Sequence, residues 1–223
     1  MKRLLTILGA MALLANMGMA AAAATGKLTH IEVDESGEAR QRGAEAVIST
    51  CLLCHSLKYV KFIDMQDFGM DKEDIQALLM DQRVDDRMMS LSDVEVRKES
   101  YGKVPPDLSL MAIARKNGPD YIYTLLTSYY YRDDGEVDNH LFPGIKMPDV
   151  LAYADTAAGS PERAEAEAQA RDIVSFLVWT ADPNADERET IGVYVIIYLI
   201  ILTVLLYLMK RRVWRRVYRQ SRE

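Results

Sequence analysis

The amino-acid sequence predicts an all-α domain followed by a single membrane-spanning helix. Residues 44–55 and 162–179 place apolar side chains three and four positions apart, which is the period of an amphipathic helix. Residues 191–209 form a run of 19 residues without a charge. A helix of that length covers about 28 Å, close to the thickness of the hydrocarbon core of a bilayer. No run of alternating apolar and polar residues indicates a sheet.

Length and composition bound the number of domains and the kind of partner. The chain has 223 residues, of which 49% are hydrophobic and 27% are charged. These values fit one folded domain with accessory segments, and they exclude a wholly disordered chain or two full enzyme domains. The formal net charge is −6, but residues 210–223 contain seven bases and one acid, so the middle of the chain is strongly acidic. An acidic body with basic ends argues against a nucleic-acid partner. It favours a membrane protein whose acidic and basic parts are separated by the bilayer.

The N-terminal residues have the three-part pattern of a secretory signal. Lys2 and Arg3 precede an uncharged apolar stretch at residues 4–19, and alanines occupy residues 20–24. We therefore expect a signal peptide that is cleaved near Ala24. The alternative is an N-terminal anchor that stays in the membrane, but the run of small residues favours the cleaved signal.

The uncharged run near the C-terminus carries the marks of a transmembrane helix. Tyr194, Tyr198 and Tyr207 supply aromatic side chains for the membrane interfaces, and the bases that follow place the C-terminus in the cytoplasm by the positive-inside bias. A buried helix of a soluble core is the alternative, and such a basic tail argues against it. The sequence thus predicts a signal peptide at residues 1–24, a periplasmic domain at 25–186, a transmembrane helix at 187–210 and a basic cytoplasmic tail at 211–223. The expected location is the inner membrane of a bacterium.

The two cysteines lie in the sequence Cys51-Leu52-Leu53-Cys54-His55, which is the C-x-x-C-H attachment motif for a c-type haem. Two thiols one helical turn apart can each add to a vinyl group of the same porphyrin, and the following imidazole can bind the iron. The alternatives are a thioredoxin-like redox pair, which needs a βαβ context, and half of a zinc site, which needs further ligands. A single motif predicts one covalently attached haem.

A haem that only carries electrons usually has a second axial ligand from the protein. We expect Met147, because it lies in Phe142-Pro143-Gly144-Ile145-Lys146-Met147-Pro148, where two prolines and a glycine favour a rigid loop over a helix. His140 is the alternative ligand. The earlier methionines at positions 65, 70, 80, 88 and 89 are read as packing or surface residues.

The remaining segments read as helices joined by turns. The helix that carries the haem motif should continue to about Tyr59. A rigid turn at residues 104–109 should place Asp107 or Ser109 as the cap of a helix at 110–116. Further helices are expected at 120–130 and 162–179, and the latter should end at Asp182-Pro183-Asn184.

Residues 64–95 contain ten acids and three bases. Such a charge run is usually a solvated face, and a docking surface for a basic partner is the alternative interpretation.

Taken together, these features resemble the cytochrome c1 family, the haem subunits of the ubiquinol:cytochrome c oxidoreductase (cytochrome bc1) complexes. The resemblance covers nearly all of the expected mature chain. The matching segments, in order, are Arg42-Gly43, the haem motif, Pro105-Pro106-Asp107-Leu108-Ser109, Ala114-Arg115, Asp120-Tyr121, Ile145-Lys146-Met147-Pro148 and Phe176-Leu177-Val178-Trp179.

The resemblance implies roles for individual residues. By the family's pattern Met147 is the sixth iron ligand, Arg115 contacts a haem propionate, and the diproline segment with Pro106 packs beside the haem. The binding set is then Cys51, Cys54, His55, Met147, Arg115 and Pro106, with His55 and Met147 on the iron.

The resemblance also implies a function and partners. The domain would take electrons from a Rieske iron–sulfur protein and pass them to a c-type cytochrome, in a dimeric complex with cytochrome b. It would have no catalytic residues of its own, because quinol oxidation belongs to cytochrome b. The alternatives are a stand-alone membrane-tethered electron carrier, a haem subunit of a terminal oxidase, and a haem peroxidase or sensor with an open sixth position.

Overall fold

The computed structural model of the protein describes residues 26–220. The expected signal peptide at residues 1–24 lies outside the described residues. In the described part, helices dominate, so the predicted helical class is confirmed. The helices are α1 Gly37–Thr50, α2 Lys72–Leu78, α3 Val94–Tyr101, α4 Met111–Ala114, α5 Gly118–Leu126, α6 Pro161–Ala181 and α7 Ala185–Gln220, with 3₁₀ turns at Cys51–Leu53, Phe62–Phe68 and Tyr153–Asp155.

Two small antiparallel sheets, which the sequence did not predict, accompany the helices. In the first, β1 (Leu57–Lys61) pairs with β2 (Arg87–Met88). In the second, β3 (Tyr129–Tyr131) pairs with β4 (Val137–Asn139). The strands have two to five residues, too short to show a clear alternating pattern in the sequence.

The core is organised around the crossing of α1 and α6. At the crossing, a Cβ atom built on Gly43 would lie 2.0 Å from the backbone oxygen of Asp172, so only glycine lets the two helices approach this closely. Beside it, the Arg42 guanidinium donates two hydrogen bonds to the Asp172 carboxylate, at 2.7 and 2.9 Å. Further along α6, Phe176 and Trp179 are buried against Phe68. These contacts hold α6 in place as one wall of the domain.

The predicted helix through Tyr59 is wrong, and so is the predicted cap at the diproline turn. Helix α1 ends at Thr50 and the chain enters β1 at Leu57. The side chains of Asp107 and Ser109 accept hydrogen bonds from the backbone N–H groups of Lys58 and Tyr59, at 3.1 and 3.2 Å. Both errors have this one cause, because the side chains expected to cap a helix bind the backbone of the extended chain instead.

The C-terminal ends of three other helices differ from the prediction. Helix α4 ends at Ala114 instead of 116, because Arg115 is extended and Asn117 has a left-handed backbone with φ 53°. Helix α5 ends at Leu126 instead of 130, and β3 follows it. Helix α6 extends two residues beyond the prediction, to Ala181, before the expected turn.

The acidic segment at 64–95 is more than a solvated face. Its apolar residues Met65, Ile75 and Met88 are fully buried in the core, while most of its acids are exposed. The segment therefore covers one side of the core and presents its carboxylates to solvent, as the sequence suggested for the charges alone.

Helix α7 contains the expected span. Residues Glu187–Arg215 have a mean hydropathy of 2.7 in their most apolar window, none of which is buried against the domain. By length and composition this helix can cross a membrane.

We predict that Gly43→Ala destabilises the domain, because the added methyl group meets a backbone oxygen that can move only with its helix. The expected loss is about 3 kcal/mol of unfolding free energy, the upper end of typical overpacking costs. For a domain of this size that is a fall of roughly 10 °C in Tm. Thermal unfolding of the detergent-solubilised protein, followed by circular dichroism, measures this.

The control is Glu45→Ala on the exposed side of the same helix, for which we expect a change within about 0.5 kcal/mol. Equal Tm values for the two variants would contradict the close crossing of α1 and α6.

Candidate functional site

All six predicted site residues line one cavity of about 1130 Å³, a volume that includes its open mouth. The walls come from the haem motif, the diproline segment, α4, α5, the loop 142–148 and α6. The lining is mostly apolar, and includes Leu108, Ile122, Leu125, Leu126, Ile173 and Leu177.

His55 is oriented by a hydrogen bond to the diproline segment. Its Nδ1 lies 2.7 Å from the backbone oxygen of Pro106, and because that oxygen can only accept, Nδ1 carries the proton. The other ring nitrogen, Nε2, is then the one with a free lone pair, as in metal-binding histidines whose second nitrogen donates to a carbonyl. Burial, partly offset by this hydrogen bond, lowers the pKa of His55. The neutral imidazole that iron requires is therefore the favoured form at neutral pH.

Cys51 begins the 3₁₀ turn that follows α1, and Cys54 comes directly after that turn. Both are free thiols that line the cavity, and burial raises the pKa of Cys51 to about 12. A dithiol redox pair works through a thiolate of lowered pKa, so this environment argues against that alternative. Among the described residues there is also no group of three or more His, Cys, Asp or Glu side chains placed to hold a metal ion, which leaves a zinc site without its ligands.

Met147 reaches the same cavity from a loop that lies 92 residues after His55 in the sequence. Its side chain is half-buried and packs against the core, and its backbone oxygen accepts a hydrogen bond of 3.1 Å from the Tyr129 hydroxyl. The pKa of that hydroxyl is raised, chiefly by burial, so it remains a donor. The loop turns at Gly144, which has φ 74°, and the Gly144 N–H donates to Asp138 at 2.7 Å. These bonds hold residues 142–148 as a loop and not as a helix, as the prolines and the glycine of this segment predict.

The candidate axial ligands differ in whether they line the cavity. His140, the alternative to Met147, is not among the lining residues and stacks on Tyr130 at 3.8 Å between ring centroids. His30 contacts Asp120 at 3.2 Å, also away from the cavity. Met111 does line the cavity, and sequence analysis did not consider it. Its place two residues after Ser109 in the diproline segment was the signal that could have drawn attention to it.

Three cations lie among the lining residues. The guanidinium of Arg115 lies 4.6 Å from the centroid of the Tyr121 ring, and the ammonium of Lys103 lies 5.9 Å from that of Phe142. Lys146 lines the cavity beside Met147. Arg115 was expected here, whereas the two lysines were not predicted. Cations around an apolar cavity suit a ligand with an apolar body and carboxylate groups.

The donor set fits a c-type haem. The cavity offers two thiols for the vinyl groups, an imidazole with a free Nε2, a thioether from a braced loop, and cations for the propionates. The covalent attachment and the axial pair follow from this fit as proposals.

Comparison with known proteins gives a consistent result. Residues 33–217 match the model of the family described as the Cytochrome C1 family. The chain is 30% identical to cytochrome c1 of Allochromatium vinosum over 223 aligned residues, covering 86% of this chain and 90% of that one. It is 31% identical over 181 residues to the mitochondrial heme protein cytochrome c1-2 of Solanum tuberosum, covering 68% and 69%. It is also 30% identical over 191 residues to a protein named ammonia monooxygenase gamma subunit of Nitrosomonas europaea, covering 77% and 80%.

We predict that Met147→Leu leaves the haem covalently attached but removes the sulfur-to-iron absorption at the red end of the ferric spectrum. The reduction potential should fall by on the order of 100 mV, a fraction of the roughly 0.8 V that axial ligands span. Visible spectroscopy and a redox titration of the purified protein measure both.

Met111→Leu is the matched control, since it removes a second thioether that lines the same cavity; it should keep the absorption band. Loss of the band in Met111→Leu alone would transfer the ligand role to Met111. A band that survives both changes but is lost in His140→Ala would transfer it to His140.

Proposed function

Because this chain belongs to the cytochrome c1 family, and is thus a c-type cytochrome that carries electrons, we propose that it is the membrane-anchored monohaem subunit of a respiratory bc1 complex. In this proposal it accepts electrons one at a time from a Rieske iron–sulfur protein and passes them to a c-type cytochrome. The observation that carries the proposal is the hydrogen bond from His55 to Pro106, which leaves Nε2 with a free lone pair on a residue that lines the same cavity as Cys51, Cys54 and Met147.

The residues of this chain bind and tune the haem. Cys51 and Cys54 would hold the haem through two thioether links, His55 and Met147 would bind the iron, and Arg115 would neutralise a propionate. Pro106 holds the tautomer and the orientation of His55. The haem, when bound, supplies the one-electron chemistry. The protein sets its potential through the axial pair and the apolar walls, and it has no catalytic residues of its own.

The topology proposed for this function has the haem domain in the periplasm, α7 across the inner membrane and the basic tail in the cytoplasm. The seven bases after residue 209 and the exposed apolar surface of α7 support this orientation. A signal peptide at residues 1–24, cleaved near Ala24, would deliver the domain.

The proposed partners are cytochrome b and the Rieske protein within a dimeric complex, and a c-type cytochrome as acceptor. The rival functions, a stand-alone carrier or a subunit of a terminal oxidase, share the haem chemistry and differ in these partners. Partner identity therefore separates the proposals.

We predict that a complex purified in mild detergent through an affinity tag on this chain contains b-type haem and a Rieske centre and oxidises quinol. Difference spectra in the visible region and electron paramagnetic resonance identify the two centres. The same preparation carrying His55→Ala should retain b-type haem and the Rieske centre but lose cytochrome c reduction. Recovery of this chain alone, or together with oxidase haems, would contradict the proposal.

The same preparation tests the acceptor. The exposed carboxylates of residues 64–95 should attract a basic cytochrome, and salt screens such attraction. The second-order rate should therefore fall between about 0.02 and 0.3 M salt, where the Debye length shortens from roughly 20 to 6 Å. A rate that does not change with salt would indicate a tethered acceptor and leave the acidic segment as a solvated face.

We predict that truncation after Asp186 releases a soluble haem domain into the periplasm, because the core lies within α1–α6 and α7 contributes only insertion. Cell fractionation with haem staining measures this. Retention of the truncated domain in the membrane fraction after a high-salt wash, or absence of haem from it, would contradict the proposed division into domain and anchor.

A further inference from the structure

Arg97 places a buried positive charge beside the haem motif. Only 7% of the residue is exposed. Its Nη1 donates a hydrogen bond of 3.0 Å to the backbone oxygen of Cys54, and its Nε donates one of 3.4 Å to the backbone oxygen of Asp93. Neither acceptor is a carboxylate, and within residues 26–220 Arg97 has no ion pair closer than 4.0 Å. The hydrogen bonds of this guanidinium among the described residues are therefore to backbone carbonyl oxygens.

A buried cation of this kind has two physical consequences. Burying a charge without an anionic partner is costly, so the carbonyl contacts must hold the guanidinium firmly. In addition, the field of a buried charge is screened much less by salt than that of a surface charge. Any redox centre nearby therefore experiences the positive charge at all ionic strengths.

Helix α3 directs this charge to the second cysteine of the motif. Arg97 holds the backbone oxygen of Cys54, and Tyr101, one turn further along α3, has its hydroxyl 3.6 Å from the Cys54 sulfur. The helix ends at Tyr101 and is followed by Gly102, where φ is 71°, and the chain then enters the diproline segment that binds His55. Helix α3 thus contacts Cys54 and leads directly into the diproline segment that binds His55.

We propose that Arg97 is a positioning residue that holds Cys54 in place and a fixed cation that raises the reduction potential of the haem. Uptake of one electron from the donor, with no bond made or broken, lowers the net positive charge of the site by one. A nearby cation repels the oxidised form more than the reduced form and so favours reduction. This inference rests on the haem attachment in the proposed function.

The experiment is a redox titration of three variants of the full chain: Arg97→Gln, Arg97→Lys and Lys98→Gln. Arg97→Gln removes the charge and keeps a donor, Arg97→Lys keeps the charge and removes the planar fork, and Lys98→Gln removes a charge from the exposed neighbour. Covalent haem is quantified by the pyridine haemochrome spectrum, and Tm is measured for each protein.

We expect Arg97→Gln to shift the equilibrium toward the oxidised form by roughly tenfold, which for a one-electron couple is about 59 mV. The shift should be the same at low and high salt. Arg97→Lys should keep most of the potential but lower the Tm, because the hydrogen bond to Cys54 is lost. Lys98→Gln should change the potential little, and any change should vanish in salt.

Two results would overturn the inference. The first is a potential in Arg97→Gln equal to that of Lys98→Gln, which would leave Arg97 as a packing residue. The second is a potential that falls in Arg97→Lys as far as it falls in Arg97→Gln. This result would assign the effect to the hydrogen bond and not to the charge. If Arg97→Gln yields no holoprotein, Arg97→Met takes its place in both comparisons, because it also removes the charge and keeps an apolar side chain of similar length. A wild-type protein without covalent haem would instead overturn the proposed function itself.

Discussion

The hydrogen bond between His55 and Pro106 joins two segments that lie 51 residues apart, and the rest of the haem site depends on it. It sets the tautomer of the imidazole, and it is one of four bonds along the same seam. The N–H of Leu108 donates to the backbone oxygen of Ser56 at 2.8 Å, and the side chains of Asp107 and Ser109 bind the start of β1. The chain from His55 to Tyr59 is therefore fixed against the diproline segment, and the oriented imidazole lies in the lining of the cavity.

A second constraint is the close approach of α1 and α6 at Gly43. Since the haem motif follows directly from α1, the position of α6 determines where the cysteines stand relative to Ile173 and Leu177 on the cavity wall. Helix α6 then leads through the turn after Ala181 into α7. The contact that packs the core also connects the site to the segment that can cross a membrane.

Acidic and basic side chains of the domain lie at different distances from the cavity. Carboxylates of residues 64–95 lie mostly on the outer surface, while Lys103, Arg115 and Lys146 line the cavity and Arg97 is buried behind the motif. An electron carrier benefits from both arrangements: surface charge affects the rate of encounter with partners, whereas buried charge affects the potential of the centre.

The sequence by itself determined the features that depend on short-range geometry. The spacing of Cys51, Cys54 and His55, the uncharged run of 19 residues and the prolines and glycine around Met147 follow from bond lengths, helix rise and backbone restrictions within a few residues. The tertiary structure decided what depends on partners far along the chain. It placed His140 outside the cavity and Met111 inside it, turned the expected helix at Tyr59 into β1, and buried Arg97, which reads as one more surface base in an acidic, polar stretch. In each case, hydrogen-bond partners and packing supplied by distant segments overrode local propensity, and no spacing within one segment encodes them.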